Sequence, residues 1–266
     1  MKRRSFLLAA ACCSCRGPTP RRWELARAAL LAGQPSDATE AAAALQQLDD
    51  IAERVRELYG AGGISAAEAL RSVLFDELGF VREVTSTELA FVLLPGVLRH
   101  RRGNCVGLGT LYLALAQALG FMASGVLMPG HFYVRHQQPG QPRNVELLRR
   151  GEAMPDSWYL ARYPLPVATT RTPYARPLSN REVLGVIEYD IGNERRRQQR
   201  HADARTAYAR AAELCPDFAE AHASLGALQH LLGDDAAALA SYRVAQRLNP
   251  RLPGLEQNLA LLGRFD

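Results

Sequence analysis

Beyond residue 15 the chain holds only two cysteines, Cys105 and Cys215, which excludes a disulfide framework. The two fall in segments that read as different units, so no bridge between them is expected. Long hydrophobic runs are missing as well: the apolar stretch 6–11 is far too short to span a bilayer. Lacking too is any nucleic-acid footprint, because the net charge of +5 comes from arginines scattered along the chain without aromatic interleaving. His131 and His136 have no supporting ligand set and no loop resembles a calcium site, so neither a metal nor another cofactor is expected. His136 reads as a surface residue, and Arg195 to Arg205 as a solvated helix face.

What is present is an ordinary globular composition, 48% hydrophobic and 22% charged. Over 266 residues this supports a sizeable core and two modest units. The N-terminus reads as an export signal, with Lys2, Arg3 and Arg4 before the apolar stretch and Cys12-Cys13-Ser14-Cys15 after it. Arg3-Arg4-Ser5-Phe6-Leu7 resembles the twin-arginine export motif. Leu8-Ala9-Ala10-Ala11-Cys12 resembles a bacterial lipobox, with Ala9 where leucine is usual, and would make Cys12 the lipidated first residue of an exported, periplasmic or membrane-anchored lipoprotein.

Helical spacing of apolar residues predicts helices over 23–31, 38–59, 66–78, 89–98 and 106–119, the last stopped by Gly120. Residues 124–127, 132–135 and 144–148 read as strands, with a turn at 138–142, and the proline-rich segment 155–177, with Trp158 and Tyr159, as a linker. One motif stands out. Arg102-Gly103-Asn104-Cys105 puts a cysteine at the mouth of the apolar helix, and Met128-Pro129-Gly130-His131 puts a histidine on a following strand. A thiol at a helix N-terminus feels the positive end of the dipole, which favours thiolate, and an imidazole completes its activation.

The C-terminal third repeats. At an offset of 34, Gly192 falls on Gly226, Ala204 on Ala238, Tyr208 on Tyr242, Ala211 on Ala245 and Pro216 on Pro250. These positions resemble the tetratricopeptide repeat, in which small residues let paired helices approach, the aromatic fills between them and the proline ends the second helix. Residues 219–250 form the better copy, and 255–262 a closing helix.

Residues 66–151 resemble the transglutaminase-like superfamily, in particular its SirB-type branch, which couples such a core to tetratricopeptide repeats. The resemblance is carried by Leu74-Phe75-Asp76-Glu77-Leu78-Gly79-Phe80, Arg102-Gly103-Asn104-Cys105, Gly120-Phe121, Met128-Pro129-Gly130-His131-Phe132 and Asn144-Val145-Glu146. It implies an α+β fold, a papain-like core with N-terminal helices over 21–180 followed by an all-α repeat unit over 181–266, after the signal and tether read over 1–20. It also implies Cys105 as nucleophile and His131 as general base. Glu146 or Asn144, which point to the same side of a strand, would orient the histidine.

Two functions follow as expectations. One is cysteine acyl transfer through a thioester, resolved by water in a peptidase or amidase and by an amine in a transferase, with the repeats binding a protein or peptide. The other is a catalytically silent scaffold that presents the repeats to a protein partner.

Overall fold

A computed structural model describes residues 22–32, 38–137, 143–166 and 171–262. The segment expected to be an export signal, with Cys12, and the expected 138–142 turn lie outside the described residues. The chain opens with α1 (Glu24–Leu31), α2 (Ala38–Gly60) and α3 (Ala66–Arg71), which continues as a π-helical turn, Ser72–Glu77. Next come β1 (Val81–Arg82), a 3-10 turn at Leu89–Phe91, α4 (Leu94–His100), β2 (Arg102–Gly103) and α5 (Cys105–Ala118). The sheet strands are β3 (Ala123–Met128), β4 (His131–His136), β5 (Arg143–Glu146), β6 (Glu152–Ala153) and β7 (Pro177–Leu178), with α6 (Asp156–Arg162) between the last two. Helices α7 (Asn180–Arg197), α8 (His201–Leu214), α9 (Ala219–Leu231), α10 (Asp235–Leu248) and α11 (Leu255–Leu262) follow. The fold is α+β, with its sheet in the N-terminal part and a helical C-terminal part.

The sheet is antiparallel in the order β6-β5-β4-β3-β7, while β1 and β2 form a separate parallel pair. Gly130, at φ +72°, turns β3 back into β4 and so sets His131 at the strand's first position. Helix α5 is apolar nearly all round and runs through the centre. Phe132 on β4 seats it: a Cβ at Gly109 of α5 would lie 2.5 Å from that ring, and one at Gly125 of β3 only 2.4 Å from it. The ring is clasped between two glycines, and the helix is thereby held against the strand that carries His131.

Side chains alternate along β4, and Phe132 and His136 face α5. His136 is therefore a core residue, not a surface one: it is 2% exposed and bonded to the Tyr112 hydroxyl at 2.8 Å. The expected linker is corrected too. Its first part is α6, with Tyr159 buried, and its end is edge strand β7. The expected helix over 89–98 is split, because Pro95 fits only the first turn of a new helix, α4.

The repeat spacing has a direct cause. A Cβ at Gly192 would lie 2.6 Å from the Tyr208 ring, and one at Gly226 would lie 2.9 Å from the Tyr242 ring. Each glycine admits the aromatic of its paired helix, and the two pairs lie one hairpin apart. The first hairpin is no appended arm, for Val186, Ile187 and Ile191 of α7 and Ala207 and Ala211 of α8 belong to the same core as α5 and the sheet.

Candidate functional site

Asn104 starts α5 by accepting the Gly107 N–H at 2.8 Å on its side-chain oxygen, and its own N–H bonds Phe91 O at 2.9 Å. Cys105 is then the first helical residue, its N–H among those without an intrahelical acceptor. Gly107 keeps the backbone of the preceding 3-10 turn close, since a Cβ there would lie 2.4 Å from Phe91 O.

A cleft of about 370 Å³ brings Cys105, Gly130 and His131 together. His131 is 4% exposed, and its Nε2 lies 2.7 Å from Oε2 of Glu146, itself 1% exposed. An ionised carboxylate only accepts, so Nε2 carries the hydrogen and Nδ1 is the basic nitrogen. Glu146 Oε1 accepts the Leu148 N–H at 3.0 Å, which fixes the carboxylate from its other side. Asn144 does not reach the histidine. Its oxygen takes the Arg135 Nε–H at 2.8 Å, and its amide donates to Asp156 at 2.7 Å and to Met154 O at 3.1 Å.

Aromatic rings cover the imidazole. Tyr163 stacks on it at 4.5 Å and 9°, and Tyr159 lies beyond at 6.1 Å and 22°. Both come from α6 or its end, the segment expected to be linker. Proline richness hid them, because prolines at 155 and 164 flank a helix rather than dissolve it.

The first repeat helix supplies another wall: Asp190, Asn193 and Arg197 of α7 line the cleft with Cys105. No motif pointed to them. Asn104 Nδ2 donates to Asp190 at 3.4 Å, tying the cap of α5 to α7. Arg197 is exposed and held by Glu194, and among the arginines of the basic run only Arg195, 9% exposed, departs from a solvated face. Glu83 also lines the cleft and is held well below the usual carboxylate range, at about 2, by donors from Thr85 and Ser86.

Electrostatically the thiol departs from expectation. Burial pushes Cys105 up to about 12, the negative charges of Asp190 and Glu146 add to this, and the backbone N–H groups of Phe132 and Val106 oppose it. Burial also raises Asp190 to about 6, against the pull of Asn104 and Arg197. Burial thus favours the thiol over the thiolate at rest. Cys105 and Cys215 are both free thiols. Among the described residues no group of three or more His, Cys, Asp or Glu side chains could hold a metal ion, and no helix is long and apolar enough to cross a membrane.

A family model of the transglutaminase-like superfamily matches residues 42–187, more than half of the chain. The chain belongs to that superfamily. A second model, of the TPR repeat, matches residues 192–233, where α7 ends and α8 and α9 lie. No match is found among curated proteins. Among solved structures, a crystal structure of menin that reveals the binding site for Mixed Lineage Leukemia (MLL) protein is similar at 13% identity and a TM-score of 0.42. The similarity covers 85% of this chain and 64% of that one. In this member of the superfamily the cysteine and the histidine line one cleft, and the buried Glu146 carboxylate bonds the histidine.

Proposed function

We propose that the chain is a cysteine acyl-transfer enzyme whose nucleophile is Cys105. The observation that carries this reading is the buried 2.7 Å bond from Glu146 to His131, the histidine that lines one cleft with Cys105. Glu146 holds the proton on Nε2, so Nδ1 takes the thiol proton as sulfur attacks an amide or ester carbonyl. The thiol is protonated at rest, which makes His131 a general base during attack rather than half of a standing ion pair. The N–H of Cys105 supports the developing oxyanion, and the leaving amine or alcohol takes the proton from His131. Water or an amine then attacks the thioester, returning the thiol.

Superfamily membership and the TPR match support an enzymatic or protein-binding role. Protein recognition by the helical repeats completes the reading, with export and acylation at Cys12 delivering the protein to a membrane surface.

The raised thiol favours a second reading, a silent scaffold in which Cys105 is a buried structural residue. Iodoacetamide labelling of the intact chain, read by peptide mass spectrometry, separates the two. The enzyme reading expects Cys105 to be modified far faster than Cys215, which is 0% exposed, and that advantage to vanish in His131→Ala. Equal, slow modification of both cysteines would favour the scaffold. Mass analysis of the mature N-terminus tests the lipid at Cys12.

A further inference from the structure

Beside the Cys105 cleft lies a second cavity of about 420 Å³, and Leu148 lines both. Its floor is apolar: Phe75, Phe80 and Leu147 are buried, and Val81 and Leu148 complete the wall. One stretch of chain borders both spaces, Val81 and Arg82 on the second cavity, Glu83 and Val84 on the cleft. The exposure of Val81, 37%, and Val84, 63%, leaves apolar surface along that border.

The rim is basic. Arg149 is matched by Glu152 at 2.6 Å, and Arg150 shares Asp76 with Arg71. Arg82 has no ion pair among the described residues. Arg101, whose carbonyl accepts the Val81 N–H at 3.0 Å, turns its guanidinium to Leu78 O at 3.1 Å rather than to a carboxylate. Positive charge is thus in surplus around an apolar floor of ligand-pocket size.

We propose that this cavity is the side-chain subsite of the Cys105 cleft and takes an apolar side chain carried next to a carboxylate, as in an acidic, leucine-bearing peptide segment. The proposal rests on Cys105 as nucleophile for its catalytic meaning. A donor bound along Val81 to Val84 would place its acyl carbon in the cleft and its neighbouring apolar side chain past Leu148, with the carboxylate facing Arg82.

The test measures binding apart from reaction. Fluorescein-labelled Gly-Asp-Leu-Gln-Gly, Gly-Lys-Leu-Gln-Gly and Gly-Asp-Ser-Gln-Gly are titrated by anisotropy against the full chain carrying Cys105→Ala. The Asp-Leu peptide is expected to bind about fivefold tighter than the Lys-Leu peptide at low salt, an advantage that shrinks at high salt. Replacing its leucine by serine is expected to weaken it about tenfold or more. Arg82→Ser should erase the preference for aspartate and Val81→Asp the preference for leucine, with circular dichroism reporting that both variants fold. Equal binding of the three peptides, or preferences that survive both substitutions, would overturn the subsite. Iodoacetamide labelling of the unsubstituted chain judges the nucleophile separately: an inert Cys105 with intact peptide preference removes the catalytic reading and leaves the binding site standing.

Discussion

Glu146 grips His131 with one carboxylate oxygen, 2.7 Å from Nε2, while its other oxygen takes the Leu148 N–H at 3.0 Å. Both oxygens therefore act as acceptors in a pocket closed to water. An amide cannot accept on both sides.

Glu146→Gln must turn its NH2 either to Leu148 N–H or to the histidine. The first leaves two donors opposed; the second donates to Nε2, which must then accept and carry no hydrogen, the wrong tautomer. Stability should fall by about 1–3 kcal/mol, the cost of an unmet buried polar group. Acyl transfer, or Cys105 labelling in its place, should fall by about 10²-fold or more with the loss of a positioned base. Urea denaturation and a pH profile of the labelling rate check both. A variant that is destabilised but reacts at the original rate would make Glu146 purely structural.

Asp190 acts on the thiol through its charge alone. Its negative charge is the second largest cause of the raised Cys105 value, after burial. Asp190→Asn keeps an acceptor for Asn104 and removes the charge, so the midpoint of the labelling pH profile should move down. The stability sign follows from linkage. The folded-state value, raised from 3.8 to about 6, means the fold prefers the protonated acid. Stability is complete below about 4 and is lost as pH rises through about 6. Asp190→Asn should thus raise the urea midpoint at neutral pH and leave it unchanged near pH 4. A midpoint shifted equally at both pH values would show that charge is not the cause.

Cys105 and His131 are legible in the sequence because their settings are local: Asn104 must cap the helix, and Gly130 must turn the hairpin. Glu146 and Asn144 could not be separated so, since both lie on one face of β5 and only long-range packing decides which meets the histidine. Asp190, Asn193 and Arg197 stayed hidden for a related reason. They lie in a helix whose visible signal is the repeat spacing of Gly192 with Tyr208, and nothing local says that α7 borders α5. Tyr163 is read off only once a proline-flanked segment is known to fold back onto β4.

His136 predicts an acid limb of instability. Burial lowers it from 6.5 to about 4, and Arg143 contributes in the same direction. A depressed histidine stabilises the fold above the unfolded value and ceases to do so as pH falls through the folded one, so the loss should run from about 6.5 to about 4. Its size is about 3 kcal/mol by linkage. His136→Gln keeps an acceptor for the Tyr112 hydroxyl and should flatten that limb in a series of urea melts against pH. An unchanged slope would assign the acid loss to other groups.

The two repeat glycines should differ in reach although their local geometry matches. Alanine gains about 1 kcal/mol over glycine in a helix interior, against about 1–3 kcal/mol for forcing a methyl into a packed ring. At Gly192 the added Cβ would meet the Tyr208 ring at 2.6 Å, and at Gly226 the Tyr242 ring at 2.9 Å, so strain wins more clearly at Gly192. The Tyr208 hydroxyl donates to Asn193 Oδ1 at 2.8 Å, and Asn193 lines the Cys105 cleft. Tyr242 belongs instead to the terminal cluster with Leu255 and Leu262. Gly192→Ala should therefore both lower the melting temperature and alter iodoacetamide labelling of Cys105. Gly226→Ala should speed hydrogen exchange in α9 to α11 while the labelling rate holds. Equal effects of the two on Cys105 would mean that the cleft senses the whole repeat array rather than its first hairpin.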